Sequence, residues 1–166
     1  MAEFDWSRFL VRIDVRSSID RLYDAWATRS GMESWFLRVS AYSSSDGVLR
    51  AAAERAKTGD SYEWMWFGWP DETAERAKIL DCNDRDLFKF SFGKAGNCTV
   101  RIYEESGKTI VELVQDEIPT DEAGKHSFHL GCKNGWTFYM ANLKSILEGG
   151  IDLRNKDASL QRVLNA

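Results

Sequence analysis

The sequence predicts an α+β fold in which a curved antiparallel sheet of about six to seven strands wraps around one long C-terminal helix. Three observations carry that expectation. A lone alternating strand stands near the N-terminus, a run of strand-like segments separated by tight turns fills the middle, and one long helical pattern follows. Strands joined by short turns pair antiparallel, since parallel neighbours need a long crossover. A sheet of this size must bury one face, and only the last helix is long enough to cover it.

Residues 8–16 place Phe9, Val11, Ile13 and Val15 on one parity against Arg12, Asp14 and Arg16, the alternation of a half-buried strand. Ser17 and Asp20 then form a capping signal ahead of Ile19, Leu22, Tyr23 and Trp26, which recur at helical spacing. Ser30 and Glu33 repeat the signal before Trp35 and Phe36, predicting a second short helix with Gly31 in the break between the two. A strand is expected from Leu37 to Tyr42, closed by the Ser43–Gly47 turn. Residues 50–57 are Ala-rich without an apolar stripe, so they read either as a short surface helix or as a strand-flanking loop.

The grammar then becomes uniform. Tyr62–Phe67, Glu75–Cys82, Leu87–Phe92, Cys98–Tyr103 and Thr109–Gln115 read as strands, punctuated at Trp69-Pro70-Asp71, Asn83-Asp84, residues 93–97 and Glu105-Ser106-Gly107. Trp136, Met140, Leu143 and Leu147 line one side of the final helix, and Gly149-Gly150 supplies its stop. Projected backwards on the same wheel, that side also receives His129 and Cys132, if the helix starts before Gly131, while Phe138 falls opposite. A helix start near Asn134 accounts for Gly131 equally well. The expected division is a domain over residues 1–150 and a loosely attached tail, or a short helix, over 151–166.

Composition narrows the function classes. The 166 residues include Trp 7, Phe 9 and Tyr 5 against only His 2 and Cys 3, which favours a shaped apolar interior over nucleophilic or metal chemistry. A net charge of −4 without a Lys/Arg cluster argues against a nucleic-acid partner. No apolar run approaches bilayer length and nothing near Phe4, Trp6 and Phe9 reads as a signal peptide, so no membrane partner is expected. Cys82, Cys98 and Cys132 are odd in number and widely spaced, which disfavours disulfides and structural zinc and points to the cytoplasm.

The first strand leading into Leu22, Ala25 and Trp26, then Gly31 and Trp35-Phe36, with Gly135-Trp136 followed by Leu143 and Leu147, resembles a known family. It is that of the activator of Hsp90 ATPase homologue 1-like proteins, within the START-like, Bet v 1-like (SRPBCC) superfamily. The resemblance spans roughly residues 8–148. It implies a helix-grip fold whose helix and sheet commonly enclose a lipid, polyketide, hormone or other apolar molecule, with a minority of members catalysing cyclisation or dehydration there.

The expected ligand is therefore a small apolar or amphipathic molecule, with no cofactor and no metal, bound by Trp26, Trp35, Trp64, Trp66, Phe90, His129, Cys132, Trp136 and Met140. Tyr62, Trp64 and Trp66 share one strand parity and Phe88, Phe90 and Phe92 another, so both sets make an aromatic wall if they point inward. Taken singly, each ring reads more readily as core filling, whereas the set as a whole favours a cavity. Trp69 beside Pro70, and Trp35-Phe36 at the helix break, suit either a pocket mouth or a packed cap.

His126 and His129 have helical spacing for metal, yet Asp121 and Glu122 lie in a loop and no third ligand is evident. His129 with Cys132 imitates a nucleophile and base, although a buried free Cys is ordinarily inert packing. A buried His129 needs a hydrogen-bond partner, which a ligand oxygen, Tyr42, Tyr103 or water can supply. Arg12, Asp14, Glu63, Glu112 and Glu117 read as solvent-facing ladder charges, and any carboxylate among them that pointed inward would be the general acid or base. A homodimer or chaperone partner, met through exposed groups such as Phe138, is the remaining expectation.

Overall fold

The computed structural model describes residues 4–160 and 163. Strand β1 (Phe9–Asp14) leads into helices α1 (Ile19–Ala27) and α2 (Arg29–Trp35), then β2 (Val39–Ser43), β3 (Ser61–Met65), β4 (Glu75–Cys82), β5 (Leu87–Ser91), β6 (Asn97–Glu105) and β7 (Lys108–Asp116). Helix α3 (Gly131–Leu147) follows, continuous with a wide-turned helical stretch over Gly124–Leu130. The seven strands form one antiparallel sheet in the order β1-β7-β6-β5-β4-β3-β2. A bulge at Leu80, where Ile79 pairs with Phe90 and Asp81 with Lys89, bends the sheet at β4. The α+β helix-grip architecture expected from the sequence is the one present.

Local signals differ in detail from the sequence expectation. Ser18, not Ser17, caps α1 by accepting from the Arg21 N–H. Thr28 caps α2 in place of Ser30, accepting from the Gly31 N–H at 2.9 Å. Gly31 lies inside α2, not in a break, because a Cβ there would stand 2.0 Å from the Asp24 carbonyl oxygen of α1. The two helices can cross that closely only over a glycine. Residues 50–57 are loop, held to α1 by Arg55 bridging Asp20 and Asp24 and by the Ala56 N–H donating to the Ala27 carbonyl at 2.7 Å.

The segment after α3 is packed, not loose. Arg154 is buried, and its guanidinium donates to the carbonyls of Glu33, Ser34 and Leu37 at 2.9–3.1 Å while pairing with Asp152 at 2.7 Å. Those carbonyls are the acceptors that the C-terminal end of α2 leaves without helical partners, and a cation there also suits the helix dipole. Asn142 of α3 completes the strap, donating to the Trp35 carbonyl at 2.7 Å and accepting from the Leu153 N–H at 2.7 Å. Desolvation raises the Asp152 carboxyl, but hydrogen bonds from Arg154 and Lys156 outweigh it and hold it well below the usual carboxylate range. Of the tail expected over 151–166, residues 161, 162 and 164–166 lie outside the described residues.

Breaking one side of this buried pair by Arg154→Ala is expected to cost roughly 3 kcal/mol, read as a lower urea midpoint at unchanged slope. An unshifted midpoint contradicts the bracing role.

Candidate functional site

Between the middle of the sheet and the N-terminal half of α3 lies a cavity of about 890 Å³. Its apolar wall is aromatic. Phe36 sits at the centre, with ring centroids 4.9 Å from Trp136, 4.8 Å from Tyr139 and 5.7 Å from Trp66. Phe92 continues the wall 5.6 Å from Trp136, and Trp69, Phe128 and Phe138 stand around the opening. Gly131 and Gly135 form the helix side of the cavity; a Cβ on Gly135 would meet nothing within 4 Å. These two glycines are a trough in α3, which gives them a use beyond marking a helix start.

Behind the wall the core is solid. Trp26, Trp35, Trp64, Phe90 and Met140 have no solvent-accessible surface and do not line the cavity. They brace it: Trp26 stands 4.6 Å from Trp35 and 5.8 Å from Trp136, while Trp64 stacks on Tyr62 at 3.8 Å and meets Phe90 at 5.0 Å. Of the ligand-contacting residues expected from the sequence, the cavity brings together Trp66, Cys132 and Trp136. Phe138, expected on an exposed face, is half-buried and lines the same cavity.

One buried amide fixes the wall to the sheet. Gln115 of β7 donates to the Ala95 carbonyl at 2.8 Å and accepts from the Trp136 indole N–H at 2.9 Å, with the Cys98 thiol 3.5 Å from the same oxygen. Trp136 thus cannot turn without orphaning a buried acceptor. Burial pushes the Cys98 thiol well up and raises the Cys132 thiol as well, so neither has the depressed pKa of a nucleophile.

His129 lies elsewhere. It is buried against Phe4, Trp6 and Phe9, ring centroids 5.2–5.4 Å away, and its Nδ1 donates to the Trp6 carbonyl at 2.9 Å. Neither Tyr42 nor Tyr103 satisfies it; Tyr42 donates to the Trp26 carbonyl and Tyr103 to Glu112. The wheel projection misplaces His129 because Gly124–Leu130 has π-type turns, with the Gly131 N–H reaching back to the His126 carbonyl, and such turns advance each residue by a smaller angle. His126 is exposed, and no cluster of metal-ligating side chains exists among the described residues. No carboxylate hydrogen-bonds to His129 among the described residues.

The outer-face charges pair with one another. Arg12 meets Glu105 and Glu112, Asp14 meets Lys144, Arg76 meets Glu63 and Asn97 donates to Glu117. Glu75 is the exception. It opens β4 opposite Trp64, on the same inward parity as Ala77 and Ile79, and lines the cavity with no hydrogen-bond or ion-pair partner among the described residues. Desolvation raises its carboxyl above the usual value. Gly93 makes the room: at φ +49 it carries no Cβ, which would stand 2.5 Å from Glu75 Oε1. Sequence reading passed over Glu75, although a charge on the parity of Ala77 and Ile79 was the signal available.

Cavity, trough and braced wall define a helix-grip domain with a hollow between its long helix and its sheet. The chain belongs to the Activator of Hsp90 ATPase homolog 1-like protein family, whose sequence profile matches residues 16–148. Among solved structures it is similar to a protein of Staphylococcus saprophyticus (19% identity, 89% of this chain and 96% of that one, TM-score 0.67). It is similar also to the Aha1 dimer from Colwellia psychrerythraea (15%, 86% and 97%, TM-score 0.64). A third relative is DynU16, from the dynemicin biosynthetic locus (18%, TM-score 0.64), of which 90% of this chain covers 50%. No curated protein matches the sequence significantly. No helix among the described residues is long and apolar enough to cross a membrane.

Because burial raises its carboxyl, Glu75 holds its proton to a higher pH in the folded than in the unfolded chain, so it weakens the fold as pH rises through and above the ordinary value of 4.5. Glu75→Gln is therefore expected to melt higher than the parent at neutral pH, with the difference closing in acid. A lower melting temperature at neutral pH would show instead that the carboxylate is stabilised by the fold.

Proposed function

We propose that this protein binds a small hydrophobic or amphipathic molecule in the cavity between α3 and the sheet. The observation that carries the reading is a hollow of about 890 Å³ with an aromatic wall, large enough for a drug-sized ligand. Rings offer wide apolar contact with little rotamer freedom to lose, and the solid core behind them keeps the wall in place before any ligand arrives. Three free cysteines, one of them fully buried, suit a reducing compartment and support a cytoplasmic location. Self-association is the second reading, favoured by the dimer that the Colwellia psychrerythraea relative forms.

A panel of fatty acids, flavonoids and polyketide-like compounds, followed by Trp fluorescence and thermal shift, tests the reading, with light scattering on the same samples reporting the oligomeric state. The informative variant is Gly135→Leu. Its side chain projects into open space and replaces a helical glycine, a change worth up to about 1 kcal/mol to the helix. The variant is expected to lose ligand responses while melting no lower than the parent. No response from the parent across the panel, or full binding by Gly135→Leu, contradicts the proposal.

A further inference from the structure

Three places outside the paired surface charges invite a role: the aromatic cage around His129, the strap at Arg154, and the unpaired carboxylate of Glu75. The first two are satisfied by the chain itself, through the Trp6 carbonyl and through the end of α2. Glu75 faces a hollow with no hydrogen-bond or ion-pair partner among the described residues.

Resting on the cavity reading above, we propose that the ligand is a hydrophobic amine, protonated at neutral pH, whose ammonium group pairs with Glu75 while its apolar body lies against Trp66, Phe92 and Trp136. A carboxylate placed among rings loses hydration and needs compensation, which outer-face carboxylates here obtain from Arg12, Arg76 or Lys144. Glu75 has no such partner among the described residues, and its two oxygens open onto the cavity beside Gly93.

The remaining polar lining groups select for sign. Thr73, Ser127 and Asn134 are neutral, so among the described residues Glu75 is the only acidic side chain of the lining. Lys94, the only basic one among the described residues, is exposed and makes no ion pair with Glu75. Its ammonium keeps its own water, leaving the inner carboxylate to a guest. Ring faces add to the preference, since the negative π-faces of Trp, Tyr and Phe attract cations and repel anions. A fatty-acid carboxylate would bring like charge to Glu75; a neutral alcohol would donate one hydrogen bond but bring no opposite charge to it.

The discriminating experiment titrates three matched probes, naphthylethylamine, naphthylethanol and naphthylpropionic acid, into the full chain by calorimetry at neutral pH. The amine is expected to bind about tenfold or more tighter than the alcohol, the scale of adding an opposite charge beside a partly desolvated carboxylate, with the acid weakest. Glu75→Gln should erase that ranking while keeping affinity for the alcohol, and Lys94→Ala should preserve it. Equal affinities for amine and alcohol in the parent overturn the amine assignment and leave the cavity reading standing. A preference that survives Glu75→Gln also overturns it, because the net surface charge would then be its source. No binding of any probe, with the broader panel silent as well, removes both readings.

Discussion

The geometry of the cavity depends on one buried amide. Gln115 sits on the inward parity of β7 with Val111 and Leu113, yet it is polar and fully buried. It ties three elements together: its own strand, the turn ending at Ala95, and α3 through the indole of Trp136. A lone buried amide would be costly, but both of its ends are satisfied, so it acts as a directional clamp where apolar contact alone would let a ring turn. With Trp136 held, Phe36, Tyr139 and Phe92 have a fixed partner to pack against, and the wall acquires a shape.

A hollow of this size persists only if its walls cannot relax into it, since empty apolar space forfeits contacts on both sides. The structure meets that requirement from behind. Trp26, Trp35 and Trp64 fill the space between the wall and the sheet or the short helices, and large rings have few rotamers into which to retreat. From outside, Arg154 closes the open end of α2, next to Phe36, through bonds spanning 117 to 121 residues of sequence. The glycines of α3 then supply depth, because the helix backbone itself forms one side of the cavity. Glu75 adds the one chemically distinctive group to a surface otherwise built for apolar contact.

Much of this was legible in the chain. Strand parity gave the seven strands within a few residues, since alternation is a local consequence of burying one face. The same parity marked Trp66 and Phe92 as inward, but could not separate rings in the wall from rings behind it. That distinction depends on how α3 sits over the sheet, which contacts distant in sequence decide, such as Trp136 with Gln115. His129 was misplaced because a uniform helical wheel has no place for a π segment. Glu75 and Gln115 were readable in principle as polar residues on apolar parities. Arg154 was not, because nothing local to residues 151–160 says that their partners are the carbonyls of α2.

The indole N–H resonances of the tryptophans distinguish cavity wall from solid backing. Adding a bound ligand to nitrogen-labelled protein should move the signals of Trp66, Trp69 and Trp136, which line the cavity, and leave those of Trp26, Trp35 and Trp64 in place as a rigid backing. Movement of the second set with the first unchanged, or uniform movement of all, would contradict a preformed cavity standing in front of a solid core.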